Sequence, residues 1–297
     1  MSTWRYWFGG LLFESALHVP EWDAFASDEA GREPDVRILL DDDAAADADD
    51  APPVASPDEY RFSVRGVGRF RIVSGARIIV APAEGADERE VRLFLLGSAL
   101  AALGIQRDVL LLHASVVRLA DRTIALCGPT GSGKSTIAAA LIDRGAAFVC
   151  DDLGRFDVID GRAVVFPSTP RLKLHPESLD ALPWSAQDFD RVHARARKFH
   201  VPQVHGDSRS PVPLDAIYLL AWADGAVGVT TLTGIASLRA LVDAATYRSA
   251  LLDPMGKVGA HWERCAAVAA RTSIHRLARP RQWSALPAVV AALEGNA

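Results

Sequence analysis

Residues Gly128-Pro-Thr-Gly-Ser-Gly-Lys-Ser135 meet the pattern G-x-x-x-x-G-K-[ST] at Gly128, Gly133, Lys134 and Ser135. What flanks them decides how the pattern is read. Upstream, Thr123-Ile-Ala-Leu-Cys127 is a short apolar run of the length expected for a buried strand. Downstream, Lys134 to about Arg144 reads as a helix stopped by Gly145. A strand, a glycine turn and a helix in that order let backbone N–H groups and the helix N-terminus point at phosphate oxygens. The phosphate-binding residues expected are Gly128, Pro129, Thr130, Gly131, Ser132, Gly133, Lys134, Ser135 and Thr136. Lys134 would reach the β- and γ-phosphates, and the Ser135 hydroxyl would ligate Mg²⁺.

Ala147-Phe-Val-Cys150 reads as the next buried strand and runs straight into Asp151 and Asp152, the first of them 17 residues after Lys134. An acid at the end of a neighbouring parallel strand faces the loop and can hold Mg²⁺. Two adjacent acids point in different directions, so one can serve the metal and the other the acceptor hydroxyl. The short spacing leaves no room for the insert and LSGGQ-like signature of transport ATPases. The Asn/Thr-Lys-x-Asp guanine motif is also absent, so ATP is favoured over GTP. Val109 to Arg118 reads as one apolar strand carrying His113. Arg171 and Lys173 alternate with Leu172 and Leu174, which puts both cations on one strand face, suited to a phosphate or a substrate carboxylate. Arg191, His193, Arg195, Arg197, Lys198 and His200 form a basic segment, read as either a loop ordered over phosphates or peptide or a solvated surface helix.

Working outward, the chain divides at about residue 104 into an N-terminal module (1–104) and a catalytic domain (105–297). In the module, the aromatic-rich residues 4–18 read as one or two strands and Val36 to Leu40 as a short one, while Tyr60 to Arg65, Arg69 to Val73 and Arg77 to Val80 alternate with a period of two, giving a small antiparallel β-rich unit. The acidic, proline-bearing stretch 41–57 interrupts it as a mobile loop. Asp87 to Leu103 is a helix that Gly104 ends. Later, Ala216 to Ala221 is a strand, and helices are expected over 235–252, 261–271 and 283–294.

With 297 residues, 49% hydrophobic and 23% charged, the chain has an ordinary globular composition with ample core. A net charge of −5 argues against nucleic acid as a partner. The most apolar stretch, Val91 to Ile105, is broken by Arg92, Gly97 and Ser98 and falls short of the ~20 residues of a spanning helix, so no membrane role is expected. Three cysteines without a Cys-x-x-Cys pair read as free thiols, and with no export signal the expected location is cytoplasmic.

The run Leu112-His-Ala-Ser-Val-Val, the glycine loop, Cys150-Asp-Asp and Phe166-Pro-Ser-Thr-Pro-Arg-Leu-Lys-Leu-His-Pro-Glu-Ser resemble the catalytic domain of HPr serine kinase/phosphorylase and its HPr-kinase-related branch. Gly10-Leu-Leu-Phe-Glu-Ser-Ala-Leu-His and Gln106-Arg-Asp-Val-Leu-Leu-Leu-His look like N-terminal features of that branch, which includes lasso peptide kinases. The resemblance implies an α/β fold, a P-loop kinase core of the HPr kinase type with C-terminal helices. It implies an ATP- and Mg²⁺-dependent serine kinase acting on a peptide or small protein, such as the C-terminal serine of a lasso-type precursor. It also implies His113 near the reaction centre, Asp151 as general base and Asp152 as the metal-associated acid. The downstream glycine-containing signature associated with dephosphorylation is missing, and the N-terminal region is unlike the family's regulatory domain. An HPr-like acceptor, a small-molecule alcohol and a nucleotide-dependent scaffold stay open as alternatives, as does a homo-oligomer.

Overall fold

The computed structural model describes residues 3–29, 31–41, 52–120, 122–192, 196–204 and 209–295. Residues 42–51 of the expected acidic loop, and His193 and Arg195 of the basic segment, lie outside them. The described residues form a mixed α/β fold with four sheets and seven α-helices. None of these helices is long and apolar enough to cross a membrane. The chain divides into two compact units, Met1–Leu110 with Arg248–His261, and Leu111–Tyr247 with Trp262–Ala297.

In the first unit, β1 (Trp4–Phe8), β2 (Leu11–Ser15), β3 (Val36–Leu40), β4 (Val54–Ala55), β5 (Glu59–Val64), β6 (Gly68–Val73) and β7 (Arg77–Pro82) make one sheet in the order β1-β2-β3-β7-β6-β5-β4. This sheet is mixed rather than antiparallel, because β3 runs parallel to both β2 and β7. Alternation reports which face a side chain takes, as Val36 and Ile38 do in β3, and is silent on the direction of the neighbouring strand. The expected loop at 41–57 also contains β4, paired with β5.

Beside the sheet, Trp22 is fully buried, its ring stacked at 4.5 Å on Phe8 and 4.9 Å from Phe13. Asp87 caps α1 (Glu88–Phe94) by accepting from the Arg89 N–H, and a π-turn (Leu95–Ala99) carries the helix into α2 (Leu100–Gln106). The helix therefore runs past Gly104. Its last turn is held by Gln106, whose side chain accepts from Gly75 N–H at 2.8 Å and donates to the Ile72 carbonyl.

The second unit carries β9 (Ala114–Leu119), β10 (Arg122–Cys127), α3 (Lys134–Asp143), β11 (Ala147–Cys150), β12 (Gly154–Ile159), β13 (Arg162–Phe166), β14 (Arg171–Leu174), α4 (Pro176–Asp180), β15 (Phe199–Pro202), β16 (Val212–Pro213), β17 (Ala216–Trp222), β18 (Gly228–Leu232), α5 (Gly234–Ala245), β19 (Ser273–Arg279) and α7 (Leu286–Gly295), while β8 (Leu110–Leu112) and α6 (Val258–Ala269) each have residues in both units. Its main sheet runs β11-β9-β10-β17-β19-β18, with β10, β17 and β19 mutually parallel. Ile124, Leu126, Tyr218, Leu220 and Leu277 pack on one face with Ile137 and Leu141 of α3 and Val289 and Leu293 of α7. The alternate residues Ala125, Cys127, Ile217 and Leu219 are buried as well, so both faces are covered, as the continuous apolar runs imply.

Two expectations change here. The run from Val109 to Arg118 is two strands, β8 and β9, belonging to different sheets and separated at His113. In addition, β11 is not the neighbour of β10, because the antiparallel β9 lies between them. Helices predicted over 235–252 and 261–271 appear as α5 and α6, the first ending at Ala245.

Candidate functional site

Pairing directions bring the chemistry-bearing residues to one edge of the main sheet. Strand β10 ends at Cys127 and enters the glycine loop, while β11, parallel to it across β9, ends at Cys150 and enters the two aspartates. Strand β9 begins on that same edge, just after His113, which is anchored by its N–H to the Ala245 carbonyl at 2.7 Å. The edge opens into a cleft of about 530 Å³ lined by Lys134, Ser135, His113, Asp151 and Asp152.

The glycine loop wraps the start of α3. Lys134 is 5% exposed, and its Nζ donates to the carbonyls of Gly128 and Pro129 at 2.9 and 3.1 Å. Burial lowers its pKa, opposed by Cys127 and by the two aspartates. Thr130, Gly131, Gly133 and Thr136 also line the cleft, and Ser132 is buried within the loop. Thr136 meets Ser178 hydroxyl to hydroxyl at 2.9 Å. Gly133 caps α3 at φ +85°, and a Cβ there would lie 2.5 Å from Arg279 Nη2. We expect Gly133→Ala to destabilise the fold by about 1–3 kcal/mol in urea titration. Gly131→Ala, at φ +81° but with open space around it, should cost about 1 kcal/mol.

Asp151 and Asp152 separate as two adjacent acids should, but the partners are the reverse of those expected. Asp151 is the acid beside the loop serine: its Oδ1 accepts from Ser135 Oγ at 2.8 Å and from Ser115 Oγ at 2.5 Å. Its Oδ2 accepts from the Lys173 N–H at 3.1 Å. Burial raises its pKa, reinforced by Asp152 and opposed by these hydrogen bonds. Asp152 turns away because its backbone is left-handed, at φ +74°. Its Oδ2 accepts from Lys173 Nζ at 2.7 Å, and its Oδ1 lies 3.5 Å from His113 Nε2. Burial alone would raise the Asp152 pKa, but the Lys173 ammonium and the His113 contact outweigh it and hold the carboxyl well below the usual range. Asp152 thus makes its contacts with His113 and Lys173, not with Ser135.

Ser135 and Asp151 together offer a hydroxyl and a carboxylate at the first turn of a helix. Such a hard-oxygen pair fits Mg²⁺, which takes one or two carboxylates and completes its shell with phosphate oxygens and water. Among the described residues no group of three His, Cys, Asp or Glu side chains converges on a cation.

The other predicted cations divide. Lys173, Arg197 and Lys198 line the cleft, Arg197 also contacting Glu177 at 3.3 Å. Arg171, two residues along β14 from Lys173, is not among the lining residues. Arg191 bridges to Phe199 at the start of β15, so this part of the basic segment is strand-associated, not helical. The three cysteines are buried and none forms a disulfide among the described residues, and burial pushes the Cys127 thiol up to about 12, away from reactive thiolate chemistry.

Sequence reasoning missed Ser115, although it stands two residues after His113 in the same quoted run. It also missed Trp222, Arg279, Arg281 and Trp283, all of which line the cleft.

No family model matches the chain, and no curated protein matches it. Among solved structures it is similar to the HPr(Ser) kinase/phosphatase from Coxiella burnetii, at 13% identity and a TM-score of 0.32, over 63% of this chain and 95% of that one. A likeness of that depth assigns neither an activity nor a substrate.

Proposed function

We propose that this chain is a P-loop phosphotransferase that moves the terminal phosphoryl group of ATP to a serine hydroxyl of a peptide or small protein. The observation that carries the reading is the divergence of the paired aspartates within one cleft, Asp151 to the Ser135 hydroxyl and Asp152 to His113 and Lys173. A nucleotide-binding module needs the first arrangement. The second, an ionised carboxylate held beside a histidine and away from the phosphate loop, has its use in handling an acceptor proton.

The roles follow from position. The loop N–H groups and Lys134 bind the phosphates, and Ser135 with Asp151 holds Mg²⁺, reversing the division implied by the family resemblance. Mg²⁺ held by the Ser135 hydroxyl and the Asp151 carboxylate would supply positive charge against the negative charge of the transferring phosphoryl group. Asp152 accepts the proton of the attacking hydroxyl, and His113 and Lys173 fix its orientation. A loose transition state asks little of the base until the new P–O bond forms, when the hydroxyl has become strongly acidic. An ionised carboxylate of low basicity is therefore adequate, provided it is positioned. Arg197 and Lys198 give the cleft cations suited to an acceptor carboxylate, which supports a C-terminal serine as the target.

Mass spectrometry of Ser-terminated peptides incubated with the chain, ATP and Mg²⁺ tests this. A phosphate gain is expected on peptides with a free C-terminal carboxylate and a weaker one on their amides. Equal transfer to both would remove the carboxylate from the recognition scheme. ATP binding without transfer to any peptide, protein or small alcohol would leave a nucleotide-dependent binding module.

A further inference from the structure

The corner of the cleft on the far side of the glycine loop takes no part in this phosphate chemistry, yet it is built with care. Strands β10, β17 and β19 are parallel and end at one edge, at Cys127, Trp222 and Arg279. Ligands of open α/β sheets lie at such carboxyl ends. Because the sheet order is β11-β9-β10-β17-β19, the aspartates after β11 lie on one side of the loop and Trp222 and Arg279 on the other. A nucleotide laid across this edge with its terminal phosphate toward Asp152 would have its base toward Trp222.

The side chains there suit a flat aromatic ring. The Arg279 guanidinium lies 4.0 Å from the centre of the Trp222 ring, and that of Arg281 lies 5.6 Å from it. Arg279 also donates through Nη2 to the Ser132 carbonyl, which ties the corner to the glycine loop. It is only 9% exposed, and its Nε has no hydrogen-bond partner among the described residues. The indoles by contrast remain open, Trp222 at 42% and Trp283 at 54% exposure, both lining the cleft. Single exposed tryptophans need no explanation. Two that share one cleft with two guanidinium groups make a stacking surface.

We propose that this corner is the nucleobase subsite. The base of the nucleotide stacks on Trp283 and against Trp222, and Arg279 and Arg281 hold the Trp222 ring in place. The inference rests on the nucleotide reading above and gives it a direction, base at the β17–β19 end and acceptor at the β9–β11 end.

Calorimetric titration of the full chain with ATP and with inorganic tripolyphosphate, both with Mg²⁺, separates base from phosphate recognition. The unaltered chain should bind ATP more tightly than tripolyphosphate. Trp283→Ala, at an exposed position that folding tolerates, should weaken ATP about ten- to a hundredfold and leave tripolyphosphate unchanged. Trp283→Phe should restore most of the loss, since a ring remains. Trp222→Phe should weaken ATP less than Trp283→Ala does, because it keeps a smaller ring for the arginines. Lys134→Ala should weaken both probes. If Trp283→Ala and Trp222→Phe bind ATP like the parent, or if ATP and tripolyphosphate weaken in parallel, the base lies elsewhere and the nucleotide reading stands without this subsite. A parent chain that binds neither probe would overturn both.

Discussion

Asp152→Asn is expected to lower phosphoryl transfer about a hundred- to ten-thousandfold, the range for loss of a positioned proton acceptor, with ATP affinity nearly unchanged. Asparagine suits the site sterically. It has the same shape, tolerates the left-handed backbone at φ +74° and can still accept from Lys173. What it lacks is the negative charge and the ability to take a proton. Asp151→Asn should behave differently, because its partners are Ser135 and Ser115. That variant should need more Mg²⁺ for half-maximal rate and recover part of the loss as Mg²⁺ is raised. Single-turnover rates at saturating ATP across a Mg²⁺ series, with melting curves as a control for folding, distinguish the two. Full transfer by Asp152→Asn beside an inactive, Mg²⁺-insensitive Asp151→Asn would put the base back at Asp151.

The ambiguity between these two residues shows where sequence reading runs out. The glycine loop was legible because its chemistry is local: Gly131 and Gly133 supply left-handed backbone, and Lys134 and Ser135 follow within the same eight residues. The acids were legible as a pair for the same reason. Their division depends on one backbone angle, the positive φ of Asp152, which aspartate permits without demanding. Ser115 was hidden differently. A serine inside an apolar strand gives no signal until its partner Asp151, 36 positions later, is known.

Strand order was illegible for a related reason. The runs that became β9 and β10 are separated by so few residues that a hairpin is the natural connection, and this was available in the sequence. Nothing local says that β11 pairs on the far side of β9, or that β3 takes two parallel neighbours, since both depend on long crossovers. Strand β19 was passed over because His275 and Arg276 interrupt its apolar pattern. Its register beside β17 then delivers Arg279 to the glycine loop, a contact across 147 positions.

Lys134→Ala should produce the broadest loss, lowering transfer by roughly a hundred- to a thousandfold or more and weakening both ATP and tripolyphosphate. The lysine is 5% exposed and holds the loop shut on itself by bonding the Gly128 and Pro129 carbonyls. Folding pays a desolvation penalty for that buried charge, which is why its pKa is lowered. Removing the charge gives back part of the penalty while leaving two carbonyls short of a donor, so the two effects on stability oppose each other. The melting temperature should therefore move little compared with activity. Phosphate binding has no such offset. A phosphate draws Lys134 toward a charged partner, and alanine leaves no ammonium at the start of α3. Calorimetry and unfolding on the same preparation give the comparison. A Lys134→Ala chain that melts like the parent and still binds tripolyphosphate with parent affinity would show that the Gly128–Ser135 loop is a strand-to-helix turn and not the phosphate site.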